Sequence, residues 1–423
     1  MSIRGFELSK GTVGVSASDL EDNICGLLVN GPEVVASEGI SGVVNGTVYP
    51  LTKVKDAEGL GITQAYDTAN AVQVYRHISE FYRMAGEGTK LYLLVAPAAK
   101  TMKETIEAYG QALIIASKGS IFYIGVAHNP AAAYVPTYVD GLESVVREAL
   151  APAQALHDWS WNTDRPVNVF LEGRGLNAVG AAALDLRSIT NGAAALIGTH
   201  ISVCIGQDYG YAATLTGAGQ KFADVGTLLG TKALVGVNRS VGEVESLDIS
   251  SATKNRWLSA GLSNHKTIEE MDADLSDFDA KGYIFAIAYT GISGYRWSGD
   301  PVCAPILVDD DGYISVATIG QGASLNKAAR LLRKKLLPKV KSTVPIDSST
   351  GLLPTGIIKY FEGLGNEAFN NMANAGEISD GKTIVDPNSQ LLSGDKALLV
   401  SFELVPTASI EKIKGTINLK TTL

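Results

Sequence analysis

Apolar positions along the chain recur with two different periods. Residues 24–29 and 47–54 are short apolar runs, the first ended by Asn30-Gly31 and the second preceded by a glycine-rich stretch, so both are expected to be strands. Between 70 and 84 the period changes: Ala71, Val74, Ile78, Phe81 and Tyr82 fall at helical spacing and Gly86 and Gly88 close the segment. A regular alternation follows, with strands over 91–96, 121–127, 167–171 and 196–206 and helices over 102–117, 139–158, near 181–190 and over 222–237. Solidly apolar strands separated by helices imply a parallel or mixed sheet covered on both faces. Residues 238–266 are polar and read as a connector.

The second half begins with an apolar strand over 283–289, followed by a glycine- and aromatic-rich loop or hairpin over 291–305. Helices are expected over 325–340 and 355–374, the latter turning Ile358, Phe361, Leu364 and Phe369 inward, and a strand over 398–405. At the end, Ile413, Gly415, Ile417 and Leu419 alternate with Lys412, Lys414, Thr416, Asn418 and Lys420, the pattern of a strand apolar on one face and basic on the other. Ile3, Phe6 and Leu8 anchor a similar loose alternation at the start. The expected fold class is α/β (mixed α+β). A layered α/β outer domain spans 23–265 and a mixed α/β C-terminal domain spans 266–405, between strand-forming arms at 1–22 and 406–423.

Composition narrows what such a chain can do. Of 423 residues, 46% are hydrophobic and 19% charged, below the roughly 25% of an average soluble chain. The 44 acidic residues outweigh 35 Lys and Arg for a net charge of −9, which disfavours a dedicated nucleic-acid or anionic-membrane surface. The first residues hold no apolar leader core, and no run approaches the roughly 18 apolar residues of a spanning helix. Cys25, Cys204 and Cys303 are far apart and flanked by apolar residues, so neither a disulfide framework nor a structural zinc site is expected.

Catalytic patterns are weak. Gly226-x-x-x-Gly230-Thr231-Lys232 has the wrong spacing for a phosphate loop and sits in a helical pattern, and Gly217-Ala218-Gly219 lacks a third glycine. His77, His128, His157, His200 and His265 are scattered singly, with no nucleophile or metal-ligand spacing around them. Asp309-Asp310-Asp311-Gly312 resembles the middle of a calcium loop, but its first position would be Leu307 and its twelfth Thr318, so a tight turn is the better reading. No catalytic, metal or cofactor residue is therefore expected. One cluster stands out: Lys327, Arg330, Arg333, Lys334, Lys335, Lys339 and Lys341 lie on or just past one helix of an acidic protein. Such a face repels itself unless something acidic meets it, so it reads either as a solvated face or as a surface that docks on an acidic protein.

The order of these elements resembles the contractile tail sheath proteins of phages and phage-tail-like injection systems. The resemblance is carried by ISEFYRMAGEGTKLYLLV (78–95), AIAYTGISGYRWSGDPVC (286–303) and the C-terminal part from Asn326 to IEKIKGTINL (410–419). It implies a mechanical role. Sheath subunits polymerise as helical stacks around an inner tube, contract to drive it through a target envelope, and lend their arms as strands to neighbours. Here Ile3, Phe6, Leu8, Ile413, Ile417 and Leu419 would do so. The C-terminal domain would be the tube-facing core, with Lys327, Arg330, Arg333, Lys334, Lys335 and Lys341 as tube contacts. Implied partners are copies of the chain itself, the inner tube, and baseplate and tail terminator proteins, with no nucleic acid and no membrane insertion. The implied location is a virion tail or contractile particle assembled in the bacterial cytoplasm. The competing readings are a soluble α/β enzyme with a small-molecule site at the carboxyl ends of its strands, and another structural tail component.

Overall fold

The computed structural model describes residues 21–131, 133–191, 194–392 and 396–419. Ile3, Phe6 and Leu8 lie outside the described residues. Seven strands form one sheet: β1 (Cys25–Gly31), β2 (Val48–Leu51), β3 (Leu91–Pro97), β4 (Tyr123–Ala127), β5 (Asn168–Glu172), β6 (Ile201–Cys204) and β7 (Tyr283–Ile284). Their order is β7-β6-β5-β4-β1-β3-β2, parallel throughout except for the antiparallel edge pair β2/β3. In this register Cys25 stands between Leu91 and Tyr123. Every residue of β1, β4 and β5 is buried, which is why these strands are apolar without alternation.

Leu27 and Val29 point to one face, where they meet Val74, Ile78 and Phe81 of α1 (Val74–Ala85) and Val225, Leu228 and Leu229 of α4 (Val225–Leu234). Leu28 points to the other, with Ile106 and Leu113 of α2 (Met102–Ala116) and Leu150 and Leu156 of α3 (Leu150–Asn162). The Gly226/Gly230 pair is a packing device. A Cβ at Gly226 would stand 2.4 Å from the His77 carbonyl oxygen and one at Gly230 2.5 Å from that of Phe81, so only glycine lets α4 lie against the backbone of α1.

Several sequence expectations are corrected here. The helical pattern over 70–84 is two helices, Gln64–Asn70 and Val74–Ala85, separated at Ala71, whose φ of 53° is left-handed. The helix expected near 181–190 is replaced by a single turn, Gly180–Ala182. The Lys281 ammonium takes the carbonyls of Gly180, Ala181 and Ala183, acceptors that a helix would need for itself. The strand expected over 196–206 shortens to β6, and Gly206–Asp208 leaves it to pair with Ala260–Leu262. The strand expected over 283–289 splits after β7, and Ala286–Ile287 pairs with Arg296–Trp297, burying Trp297 edge-on against Trp257 at 5.4 Å. Because β7 completes the sheet beside β6, residues 266–284 belong with the first domain, and a boundary at 265/266 does not hold.

The second domain is smaller. Helices α5 (Ile319–Leu336) and α6 (Thr355–Asn374) pack with a two-stranded antiparallel sheet of β8 (Ile378–Val385) and β9 (Val400–Pro406). Ala328, Leu332, Ala368, Phe369, Met372 and Ile378 form its core. α5 starts earlier than its leucines suggest, because Thr318 caps it, its hydroxyl accepting the Gln321 N–H while the Gln321 amide oxygen accepts the Ala317 N–H. Residues 309–312 form the tight turn expected of them, with Gly312 at φ 86°.

Candidate assembly interface

In a doubly wound sheet a small ligand would sit beyond the carboxyl ends of the strands where the order reverses, here between β1 and β4. That crevice is filled by the chain's own side chains. Asn30 and Asn129 bond reciprocally: the Asn129 backbone N–H donates to Asn30 Oδ1 at 2.7 Å, and each side-chain amide donates to the other's backbone carbonyl at 2.8 and 2.7 Å. Glu172 accepts the backbone N–H groups of His128 and Ala223. Arg174 donates to the carbonyls of His128 and Ala218 and pairs with Glu143 at 3.3 Å. Burial pushes the Glu172 carboxyl up to about 7, a perturbation common at active sites, but two backbone N–H groups and an arginine already occupy it. Depressions of about 340 and 260 Å³ lie elsewhere, beside Glu21 and Lys90 and beside Tyr75 and Arg256.

Other polar chemistry is likewise internal. Arg76, wholly buried on α1, donates to both carboxylate oxygens of Asp224 at 3.2 and 2.8 Å and to Asp208 at 3.1 Å, and its guanidinium covers the Tyr211 ring at 4.2 Å. This cluster ties α1 to the loop entering α4, and no local sequence pattern signals it. Lys232, the residue that would reach a phosphate in the glycine-rich near-match, donates instead to the carbonyls of Gly236, Val237 and Arg239 and so closes the end of α4. The histidines are not all single: His157 and His200 stack with centroids 3.6 Å apart.

The basic helix divides into two ends with different tasks. Along α5, Gly322, Asn326 and Arg330 form a row four residues apart that faces the amino ends of the first domain's strands. Gly322 abuts the His200 ring, Asn326 donates to Asn168, and Arg330 donates to the carbonyls of Gly119, Ile121 and Pro166 at 2.6, 2.7 and 2.8 Å. The Arg330 guanidinium also lies 4.2 Å above Phe122. Lys327 bridges Asp22 and Glu377. Lys327 and Arg330 are therefore not on an outward cationic face. Unpaired carbonyls at the strand starts and two carboxylates draw them inward. Arg333 pairs with Asp164 at 2.8 Å and Lys335 with Glu367 at 2.5 Å, both at the surface, and Lys334 and Lys341 are exposed.

The C-terminal segment is the other unusual surface. Residues 407–419 form no strand with the described residues, and Ile410, Ile413, Ile417 and Leu419 are 82–101% exposed. Immediately before them, β9 exposes Phe402 and Val405 and, among the described residues, pairs only with β8, leaving its other edge without a strand. An apolar alternation without a partner beside an open edge is a template for pairing between chains. No described helix is long and apolar enough to cross a membrane.

These features define a two-domain α/β chain whose polar chemistry is largely turned inward and whose C-terminal segment exposes apolar side chains at strand spacing. The model of the DUF2586 N-terminal domain matches residues 19–300 and that of the DUF2586 C-terminal domain residues 323–423, and the chain belongs to this family. None of the curated proteins matches the sequence. Among solved structures, a chain in the cryo-EM structure of the anti-feeding prophage baseplate, 6-fold symmetrised, is similar over 100% of both chains, with a TM-score of 0.57 and 11% identity. The likeness is one of fold.

Proposed function

We propose that the chain is a non-enzymatic structural subunit of a contractile tail or phage-tail-like injection particle. Its role would be that of the sheath, polymerising around an inner tube and contracting to drive it forward. The observation that carries this reading is the segment 407–419, which exposes apolar side chains at strand spacing and pairs with no strand among the described residues. Burying Ile413, Ile417 and Leu419 against a neighbour would contribute roughly 6 kcal/mol per subunit, at about 2 kcal/mol for each side chain. The full-length likeness to a baseplate chain supports a place in such a particle. The filled crevice between β1 and β4 weighs against the small-molecule enzyme reading.

Partners on this reading are further copies, an inner tube, and baseplate and terminator proteins, met in the bacterial cytoplasm where the particle assembles. Ile3, Phe6 and Leu8 are proposed to donate a strand as Ile413–Leu419 would. With Lys327 and Arg330 turned inward and Arg333 and Lys335 paired at the surface, Lys339 and Lys341 past the end of α5 are the cations proposed to meet an acidic partner. A baseplate component is the second reading, favoured by the baseplate origin of the similar chain.

Deleting residues 410–423 tests the proposal. The truncated chain is expected to keep the parent's thermal midpoint, because the side chains of residues 410–419 are exposed, and to lose incorporation into particles and all tube or ring formation by negative-stain electron microscopy. Tubes from the parent favour the sheath and closed rings the baseplate. Unfolding on truncation, or unchanged assembly, overturns the strand-donation reading.

A further inference from the structure

Between the domains, residues 305–315 form a small hairpin that projects five exposed apolar side chains, Ile306, Leu307, Val308, Tyr313 and Ile314. The hydrogen bonds that shape it are its own. Val308 bridges Ile314, the Ser315 N–H donates to the Leu307 carbonyl, and Asp309 accepts the N–H groups of Asp311 and Tyr313 to fix the turn. Asp309 is thus part of the scaffold, while Asp310 and Asp311 stand exposed at the tip. An apolar surface of this size carrying net negative charge is a docking surface in search of a cover.

The complementary surface lies on the same chain at the far end of α5. There Leu337 and Val340 are exposed beside Lys339, which lies over the half-exposed ring of Tyr360 at 5.4 Å, and Lys341 follows. The hairpin precedes the start of α5 and the basic turn follows its end, so 18 helical residues, about 27 Å, separate them. One chain cannot close this contact on itself, whereas two chains in a row can. We propose that the hairpin at 305–315 of one copy docks on the basic turn at 337–341 of the next, apolar surface on apolar surface and Asp310 and Asp311 against Lys339 and Lys341.

The contact is head-to-tail, each copy offering a different surface at each end, and such contacts propagate into rings or open helical rows. The inference rests on the repeated-subunit reading above but is independent of strand donation. It identifies the acidic partner of the outward cations as a second copy of this chain.

The test is a charge exchange on the full-length protein, read by sedimentation velocity and negative-stain microscopy over a concentration series at low salt. D310K/D311K changes only exposed tips, and K339E/K341E loses in addition the surface contact of Lys339 with Tyr360, so both are expected to keep the wild-type melting temperature within a few degrees. Each alone should raise the concentration needed for assembly at least tenfold, and an equimolar mixture of the two should restore it, because every hairpin then meets a turn of opposite charge. Exchanging the apolar residues instead, with V308S/I314S, should weaken assembly in all three backgrounds, the wild type and both charge variants. Wild-type assembly that is unmoved by both charge exchanges, or weakened by both without rescue in the mixture, overturns the contact while leaving the particle reading intact. So does a wild type that stays monomeric to millimolar concentration, in which case incorporation into particles judges the particle reading separately. Loss of tube binding with unchanged self-association assigns the basic turn to the tube and also overturns the proposal.

Discussion

Arg330 is the most exacting test of how the two domains are joined. Its guanidinium supplies donors to three carbonyls in the segments that lead into β4 and β5, at 2.6–2.8 Å, and no carboxylate stands among those partners. Hydrogen bonds from a charged donor contribute about 2 kcal/mol each. Burial opposes them, drawing the guanidinium pKa down from 12.5 to about 10, and at about 1.4 kcal/mol per unit this returns roughly 3 kcal/mol. Replacing Arg330 by alanine therefore removes about 3 kcal/mol net, leaving the carbonyls of Gly119, Ile121 and Pro166 without their donor. That loss falls on the docking of α5, not on the sheet, whose own ladder is untouched. Native-state hydrogen exchange reads it directly. Amides of residues 323–333 should exchange roughly a hundredfold faster in Arg330→Ala, while those of β1 and β4 keep their protection. Arg330→Lys, which keeps charge but loses the planar fork, should fall between. Exchange of α5 within threefold of wild type would refute the reasoning, and equal acceleration of β1 would show that the residue supports the whole fold instead of the joint.

Glycine substitutions should split by environment. Gly226→Ala and Gly230→Ala force a Cβ into the α1 backbone and should each cost more than 2 kcal/mol in urea unfolding, whereas Gly363→Ala, with open space around it in α6, should stabilise by about 0.5–1 kcal/mol. Buried His77, hemmed by Arg76 and Glu80 and accepting the Gly226 N–H, is held down to about 3, chiefly by burial. Its folded pKa lies below the unfolded value near 6.5, so the stability it permits is present above pH 6.5 and is lost as pH falls, by about 2 kcal/mol at pH 5. Asp67 and Glu172, pushed up to about 7 by burial, act in the opposite direction over the same range. The readout is therefore the difference between wild type and His77→Gln, which should shift by about 2 kcal/mol between pH 7.5 and pH 5. A constant difference would mean that His77 titrates in the fold as it does in the unfolded chain.

What could be read in the sequence follows from how many faces of an element are buried. Strands β1, β3, β4 and β5 were legible because nearly every residue of each is covered, so the apolar runs had no other explanation. Single-residue departures were not legible. Ala71 breaks a helix through its backbone angle, and Lys281 dissolves another by taking its carbonyls from 100 residues away. The polar clusters were hidden for the same reason, since Arg76 meets Asp208 and Asp224 across 132 and 148 residues, and only the fold brings them together.

The basic helix shows where periodicity reaches its limit. Its leucines suggest a buried stripe through Leu331, Leu332, Leu336 and Leu337; Leu332 enters the second domain's core with Leu331 beside it, but the contact with the first domain's sheet is made earlier, by Gly322 and Asn326, while Leu337 is exposed. A stripe of small residues preceding the leucines was the available signal for a helix packed near its start. Seen that way, the cations sort themselves. Those within reach of the strand-end carbonyls and of Asp22 and Glu377 turn inward and join the domains, and those past the last helical turn, with Leu337 and Val340 beside them, are left for another molecule. The same segment that locks one subunit together thus presents, at its other end, a surface that the subunit cannot satisfy alone.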